Sequence, residues 1–176
     1  MFKNHSMKIY HIPNPPYYCI VGTDPLSIQD WIDDLDFVKT TYPYCNGCEV
    51  HEGFYNAFLS VRDQVVSSVK GFKSTYSSAT VTVTGHSLGA AMAAHCAAEL
   101  VHTGYNITTV YSYGMPRVGN QAFEQWYVTV VPGTFRNVHK KDPVPHLPPN
   151  NWGFHHMPYE VSILQISAQI LLLVVV

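Results

Sequence analysis

Ala79-Thr80-Val81-Thr82-Val83-Thr84-Gly85-His86-Ser87-Leu88-Gly89-Ala90-Ala91-Met92-Ala93-Ala94 is the stretch on which the fold turns. Val81 to Thr84 alternates apolar and hydroxyl β-branched side chains, the pattern of a strand with one buried face. Gly-x-Ser-x-Gly follows at Gly85, Ser87 and Gly89, and small helix formers come next. Strand, sharp turn and helix in that order make a nucleophile elbow. The turn lifts Ser87 into a strained, exposed position, and side chains at 85 and 89 would collide with neighbouring backbone. Three matching residues alone can arise by chance; the strand before them and the helix after them give the match its weight.

Outward from the elbow, 176 residues with 47% apolar and 12% charged side chains suit one domain with a sizeable core. The net charge of −2 points to no particular partner. There is no basic cluster or Arg-rich stripe, which leaves nucleic-acid binding without support. Residues 1–16 are an irregular segment without the apolar stretch of a secretory signal. The chain is therefore cytoplasmic, or its natural N-terminus is missing. Tyr17 to Gly22 reads as a buried strand, and Thr23-Asp24-Pro25-Leu26 as a turn.

Ser27 is a helix-cap residue with Asp30 three positions on. Ile28, Trp31, Ile32 and Leu35 then share one helical face, with Gln29, Asp30, Asp33, Asp34 and Asp36 opposite. This is either an ordinary surface helix or a movable lid that covers an apolar pocket in water and turns toward lipid. Cys45-Asn46-Gly47-Cys48 lies in a polar loop and fits a redox pair, half a zinc site or a small local disulfide. No second ligand pair with metal spacing follows. Cys19 and Cys96 read as buried thiols.

Gly53 to Tyr76 carries Phe54, Phe58, Val61, Val65, Val69 and Phe72 at helical spacing, which predicts one long amphipathic helix. Leu88 to Thr103 is a second helix, stopped at Gly104. A strand over 106–113, a turn over 114–120, a helix over 121–130 and a strand over 133–139 complete an alternation that argues for a parallel α/β sheet. Active-site groups of such sheets lie beyond the carboxyl ends of the strands. Asp142 is the first acid past the end of the strand over 133–139, although Asp-Pro is also ordinary turn chemistry. With the order serine, acid, histidine, the base would be His146, His155 or His156. His155 and His156 are neighbours on an extended chain, so at most one can face the serine.

Taken together, these blocks resemble the class 3 lipases, the fungal-lipase-like group of α/β-hydrolases, over roughly residues 17–161. The matching blocks are Val21-Gly22-Thr23 with Ser27 to Leu35, Val50 to Phe54, Val83 to Ala90, Gly114 to Asn120, Asp142 to Pro149 and Gly153 to Val161. The resemblance implies an α/β-hydrolase with a mostly parallel central sheet flanked by helices. It implies Ser87 as nucleophile, Asp142 as acid and His156 as base, the histidine standing four residues before Glu160. It places the oxyanion hole at Thr23 and at the Leu88 N–H, makes Ile28, Trp31, Ile32 and Leu35 the lid face, and pairs Cys45 with Cys48.

The implied chemistry is acyl transfer from a lipid ester through an acyl-enzyme, with no metal and no cofactor. The substrate would be an acylglycerol or other lipid ester at a lipid–water interface, triacylglycerol foremost. Small soluble esters and phospholipids are alternatives. Three departures favour a catalytically weak or inactive lipase-like binding protein as the other reading. Val21 stands where the family usually has Arg, the family's elements before Tyr17 are missing, so that the N-terminal part of the domain is truncated, and the apolar tail 162–176 replaces the expected continuation. That tail is too short and interrupted to span a bilayer, and reads as a terminal strand, an anchor or the product of a mis-joined gene. Relatives with this lid and cysteine pair are commonly secreted, so an extracellular location requires that the natural N-terminus lie outside this chain.

Overall fold

The computed structural model describes residues 32–33, 35–139 and 141–163. The expected strand at 17–22, Thr23, Ile28, Trp31, the segment 1–16 and the tail beyond Ile163 lie outside the described residues.

Lys39–Thr41 (β1) and Glu49–His51 (β2) pair antiparallel, with Thr40 opposite Val50. The loop between them contains the Cys45–Cys48 disulfide, so the cysteines close a hairpin that the periodicity did not show. Glu52–Leu59 (α1) and Arg62–Thr75 (α2) follow. The single long helix expected over 53–76 is thus two. Ser60 caps α1 and turns its hydroxyl onto the Ala57 carbonyl at 2.7 Å, and Val61 leaves helical geometry at φ −121° and ψ −4°. A hydroxyl competing for backbone and a β-branched neighbour both weaken a helix at that point. The apolar stripe survives the break, because Phe54 and Phe58 in α1 and Val65 and Val69 in α2 are all buried.

Val81–His86 (β3), Ile107–Tyr113 (β4), Thr134–His139 (β5) and Glu160–Ile163 (β6) form one parallel sheet in that spatial order. Leu88–His102 (α3) crosses from β3 to β4 and Gln121–Val130 (α4) from β4 to β5. Right-handed crossovers in one direction place both helices on one face of the sheet. The contacts agree: α3 packs on β3 and β4, and Tyr127 of α4 meets Thr134 of β5. Ser162 and Ile163, the first residues of the apolar tail, belong to β6.

Packing at the centre depends on small side chains. Residues 88–100 of α3 are all buried, and their alanines let the helix lie close to the sheet. A tight turn stops α3 at Gly104, which sits at φ 91°. Outside α3, the rings of Tyr42, Phe54, Phe58, Phe123 and Tyr127 fill the core. His95 of α3 sits among Tyr42, Tyr55, Phe58 and Phe123, with ring centroids 5.1 to 6.2 Å away. The other sheet face bears Tyr111 stacked on Phe135, and both stay exposed. Among the described residues, no helix is long and apolar enough to cross a membrane.

Candidate active site

Ser87 joins β3 to α3 at φ 54° and ψ −126°, a positive φ that a residue with a side chain adopts only under constraint. The constraint is local. The Ser87 N–H donates to the Tyr113 carbonyl at 2.9 Å, holding the turn to the end of β4. A Cβ on Gly85 would strike the Gly89 carbonyl and stand 2.8 Å from the Ala90 nitrogen, so glycine is what lets strand and helix approach. The strain expected at the elbow is present; the exposure is not. Ser87 is 1% exposed, and its Oγ has no hydrogen-bond partner among the described residues. Leu88 is the first residue of α3, where backbone N–H groups lack a carbonyl within the helix.

Asp142 follows β5 at the same end of the sheet. Its N–H donates to the His139 carbonyl at 2.8 Å, and its Oδ1 accepts the Val144 N–H at 3.0 Å. Its Oδ2 faces Gly114, 2.5 Å from where a Cβ would be. Gly114, at φ 55°, ends β4 and donates its N–H to the Asn137 carbonyl. From the sequence, Gly114 was legible only as part of a turn. Its position at a strand end within a quoted block was the signal that could have marked it. Arg117 was read no further. Its guanidinium donates to the carbonyls of His146 and Pro148 at 2.6 and 2.8 Å, fastening the loop that carries Asp142.

His156 departs from expectation. Its Nε2–H donates to the Pro145 carbonyl at 2.7 Å, which leaves the lone pair on Nδ1, buried and without a partner among the described residues. Burial first, and the Arg136 guanidinium after it, pull the imidazole down to about 3; the Pro145 bond opposes them, and Arg117 adds a smaller downward effect. A base must accept a proton, and two cations beside it oppose that step. No hydrogen bond joins His156 to Ser87 or Asp142, so the three expected triad members are not assembled in this arrangement. Arg136 itself is buried, donating from Nε to the Met157 carbonyl at 2.6 Å and from Nη2 to Glu160 at 3.1 Å. The Glu160 that singled out His156 therefore pairs with Arg136. His155 bridges through its backbone N–H to Gly119.

Ile32 and Leu35, the two described members of the expected lid face, are partly buried against the core. The Leu35 N–H donates to Ile32 at 3.3 Å. Cys45 and Cys48 are disulfide-bonded, and Cys96 is a buried free thiol. Among the described residues, no group of histidine, cysteine and carboxylate side chains is placed to hold a metal.

Residues 17–152 match the family model of class 3 lipases. The chain belongs to the class 3 lipase family, the fungal type of α/β-hydrolase. A lipase of Rhizomucor miehei is 39% identical over 154 residues, covering 85% of this chain and 42% of the relative. The secreted mono- and diacylglycerol lipase A of Penicillium cyclopium is 37% identical over 137 residues, covering 78% and 45%. A triacylglycerol lipase of known structure, whose catalytic centre is formed by a serine protease triad, superposes with a TM-score of 0.78 at 38% identity, over 85% of this chain and 58% of that one. This class 3 lipase chain thus spans less than half the length of the curated relatives it matches.

Proposed function

We propose that this chain carries the nucleophile and the acid of a serine carboxylic-ester hydrolase acting on lipid esters, acylglycerols foremost, in the extracellular space. One observation carries the reading: Ser87 is held at positive φ at the head of a helix with its hydroxyl uncommitted. Related lipases act in the same sense, one being a secreted mono- and diacylglycerol lipase and another a triacylglycerol lipase with a serine protease triad.

Ser87 Oγ attacks the ester carbonyl and loses its proton to an imidazole, the alcohol leaves, and water releases the fatty acid from the acyl-enzyme. Negative charge grows on the carbonyl oxygen, which the Leu88 N–H receives together with Thr23. Losing one such donor costs about 3 kcal/mol of barrier. Asp142 orients the imidazole through Oδ2, since Oδ1 is engaged by Val144. The face of Ile28, Trp31, Ile32 and Leu35 acts as the lid. His156 serves as base once its Nε2–H leaves Pro145. The commitment of that nitrogen favours a second reading, a lipase-like chain that binds ester and turns it over weakly.

Hydrolysis of a triacylglycerol emulsion and of a soluble short-chain ester by the chain, by Ser87→Ala and by His156→Ala separates these readings. Ester hydrolysis lost in Ser87→Ala supports the nucleophile, and equal rates for the two proteins remove it. If His156→Ala hydrolyses as fast as the parent, another group is the base. A soluble ester preferred without interfacial enhancement removes the lid.

A further inference from the structure

We propose that His86 is a positioning residue for Asp142, its imidazole setting the direction and charge of the one carboxylate oxygen left for the base. The inference rests on the reading of Asp142 as the acid. It starts from the division of labour on that carboxylate. Oδ1 accepts the Val144 N–H, while Oδ2 has no hydrogen bond among the described residues and faces Gly114. Gly114 has no side chain, and the space its Cβ would fill is bordered from two sides. Asp142 Oδ2 stands 2.5 Å from that point and His86 Nε2 3.7 Å. The free oxygen and the imidazole nitrogen therefore share one small gap, which any residue but glycine would close.

His86 is also bound rigidly to the nucleophile. It is the last residue of β3, opposite Tyr113 in the sheet, and Ser87 follows it directly. His86 and Asp142 thus face each other across the Gly114 gap, without a hydrogen bond or ion pair between them, and the charge of Asp142 reaches the imidazole through that gap. Across a partly buried gap of this size the interaction is one of charge, a carboxylate favouring the protonated imidazole and the protonated imidazole favouring the carboxylate. Burial pulls the His86 imidazole down, while Asp142 holds it up and is the charged group that its surroundings contribute. If Asp142 were only the cap of the turn at Val144, the same Oδ1 bond would form and His86 would be indifferent to it.

The test follows histidine titrations by two-bond proton–nitrogen spectra of the full ¹⁵N-labelled chain, with His86 assigned through His86→Gln. In Asp142→Asn, the His86 midpoint falls by about half a pH unit or more, as expected for loss of an opposite charge close by. His102, whose ring stacks on Tyr44 at the far end of α3, is the control resonance. Reciprocally, His86→Gln changes the Asp142 carboxyl ¹³C shift at pH 7.5, which reads the surroundings of the carboxylate directly. An unchanged His86 midpoint in Asp142→Asn, or an unchanged Asp142 carboxyl shift in His86→Gln, overturns the proposal. Neither readout needs turnover, so a failed pairing is distinguished from a chain in which Ser87→Ala leaves ester hydrolysis untouched.

Discussion

Replacing His95 by Leu should make the fold less sensitive to acid, and the size of the effect follows from burial. His95 is fully enclosed by aromatic rings, and neither ring nitrogen has a partner. Burial, with a smaller contribution from His51, pulls its imidazole from 6.5 to about 3. His51 is drawn to about 4 by burial, against Asp36, and His156 to about 3 by burial and its two arginines. A depressed histidine binds a proton in the unfolded chain at a pH where the folded chain stays neutral. Its contribution to stability is therefore intact above pH 6.5 and is lost as pH falls from there toward the folded value. Between pH 7.5 and 5.5 each such histidine removes about 1.4 kcal/mol, whatever the folded value below 4.5. Three of them together remove about 4 kcal/mol, a large share of the 5–15 kcal/mol of a typical domain. Urea unfolding of the parent and of His95→Leu at both pH values measures this. The variant should lose about 1.4 kcal/mol less than the parent over the interval. It should also be no less stable at pH 7.5, because two buried nitrogens without partners disappear. An equal loss in the two proteins would refute the reasoning, since His95 would then take up no proton on unfolding.

Four further outcomes can be checked by the same unfolding measurement. Gly85→Ala should destabilise the chain by about 3 kcal/mol, because backbone of α3 occupies the new Cβ position; Gly71→Ala, in the middle of α2 with open space beside it, should stabilise by about 0.5–1 kcal/mol. Changing Cys45 and Cys48 together to Ser should cost no more than about 2 kcal/mol, as the bond closes so short a loop. Arg62→Ala should cost about 3 kcal/mol although Arg62 is half exposed, because Glu99 beneath it is buried and depends on Arg62 and the Tyr44 hydroxyl, each at 2.8 Å.

The parts of the fold legible in the sequence are those set by local steric rules. The bounds of α4 agree with its periodicity, Asn120 capping it through the Phe123 N–H at 2.9 Å. The elbow is legible for the same reason: Gly85 is required where strand and helix meet that closely, since backbone of α3 stands at its Cβ position. What escaped notice depends on contacts between distant residues. β1 and β2 are three residues each, too short for alternation to show. The break at Ser60 is a competition between a hydroxyl and a helix carbonyl, while the apolar stripe runs on across it.

His156 shows where reading by spacing reaches its limit. Four residues separate it from Glu160, and that interval carried the assignment. A spacing says which residues can lie near each other along a strand; it does not say which of them shares a partner with a buried cation. Glu160 is drawn to Arg136, Arg136 also holds the Met157 carbonyl, and the short segment between is fixed by those bonds. His156 is carried along with it, close enough to Arg136 for the guanidinium to oppose its protonation. The interval that marked His156 is thus fully accounted for by an ion pair that orders the chain between β5 and β6. Ser87 and Asp142 differ in kind: no ion pair among the described residues accounts for the positive φ of the one or for the turn of the other's Oδ2 toward the Gly114 gap. Features that the fold does not need for its own stability are where the case for chemistry is strongest; the strained turn at Ser87 is such a feature, and the spacing from His156 to Glu160 is not.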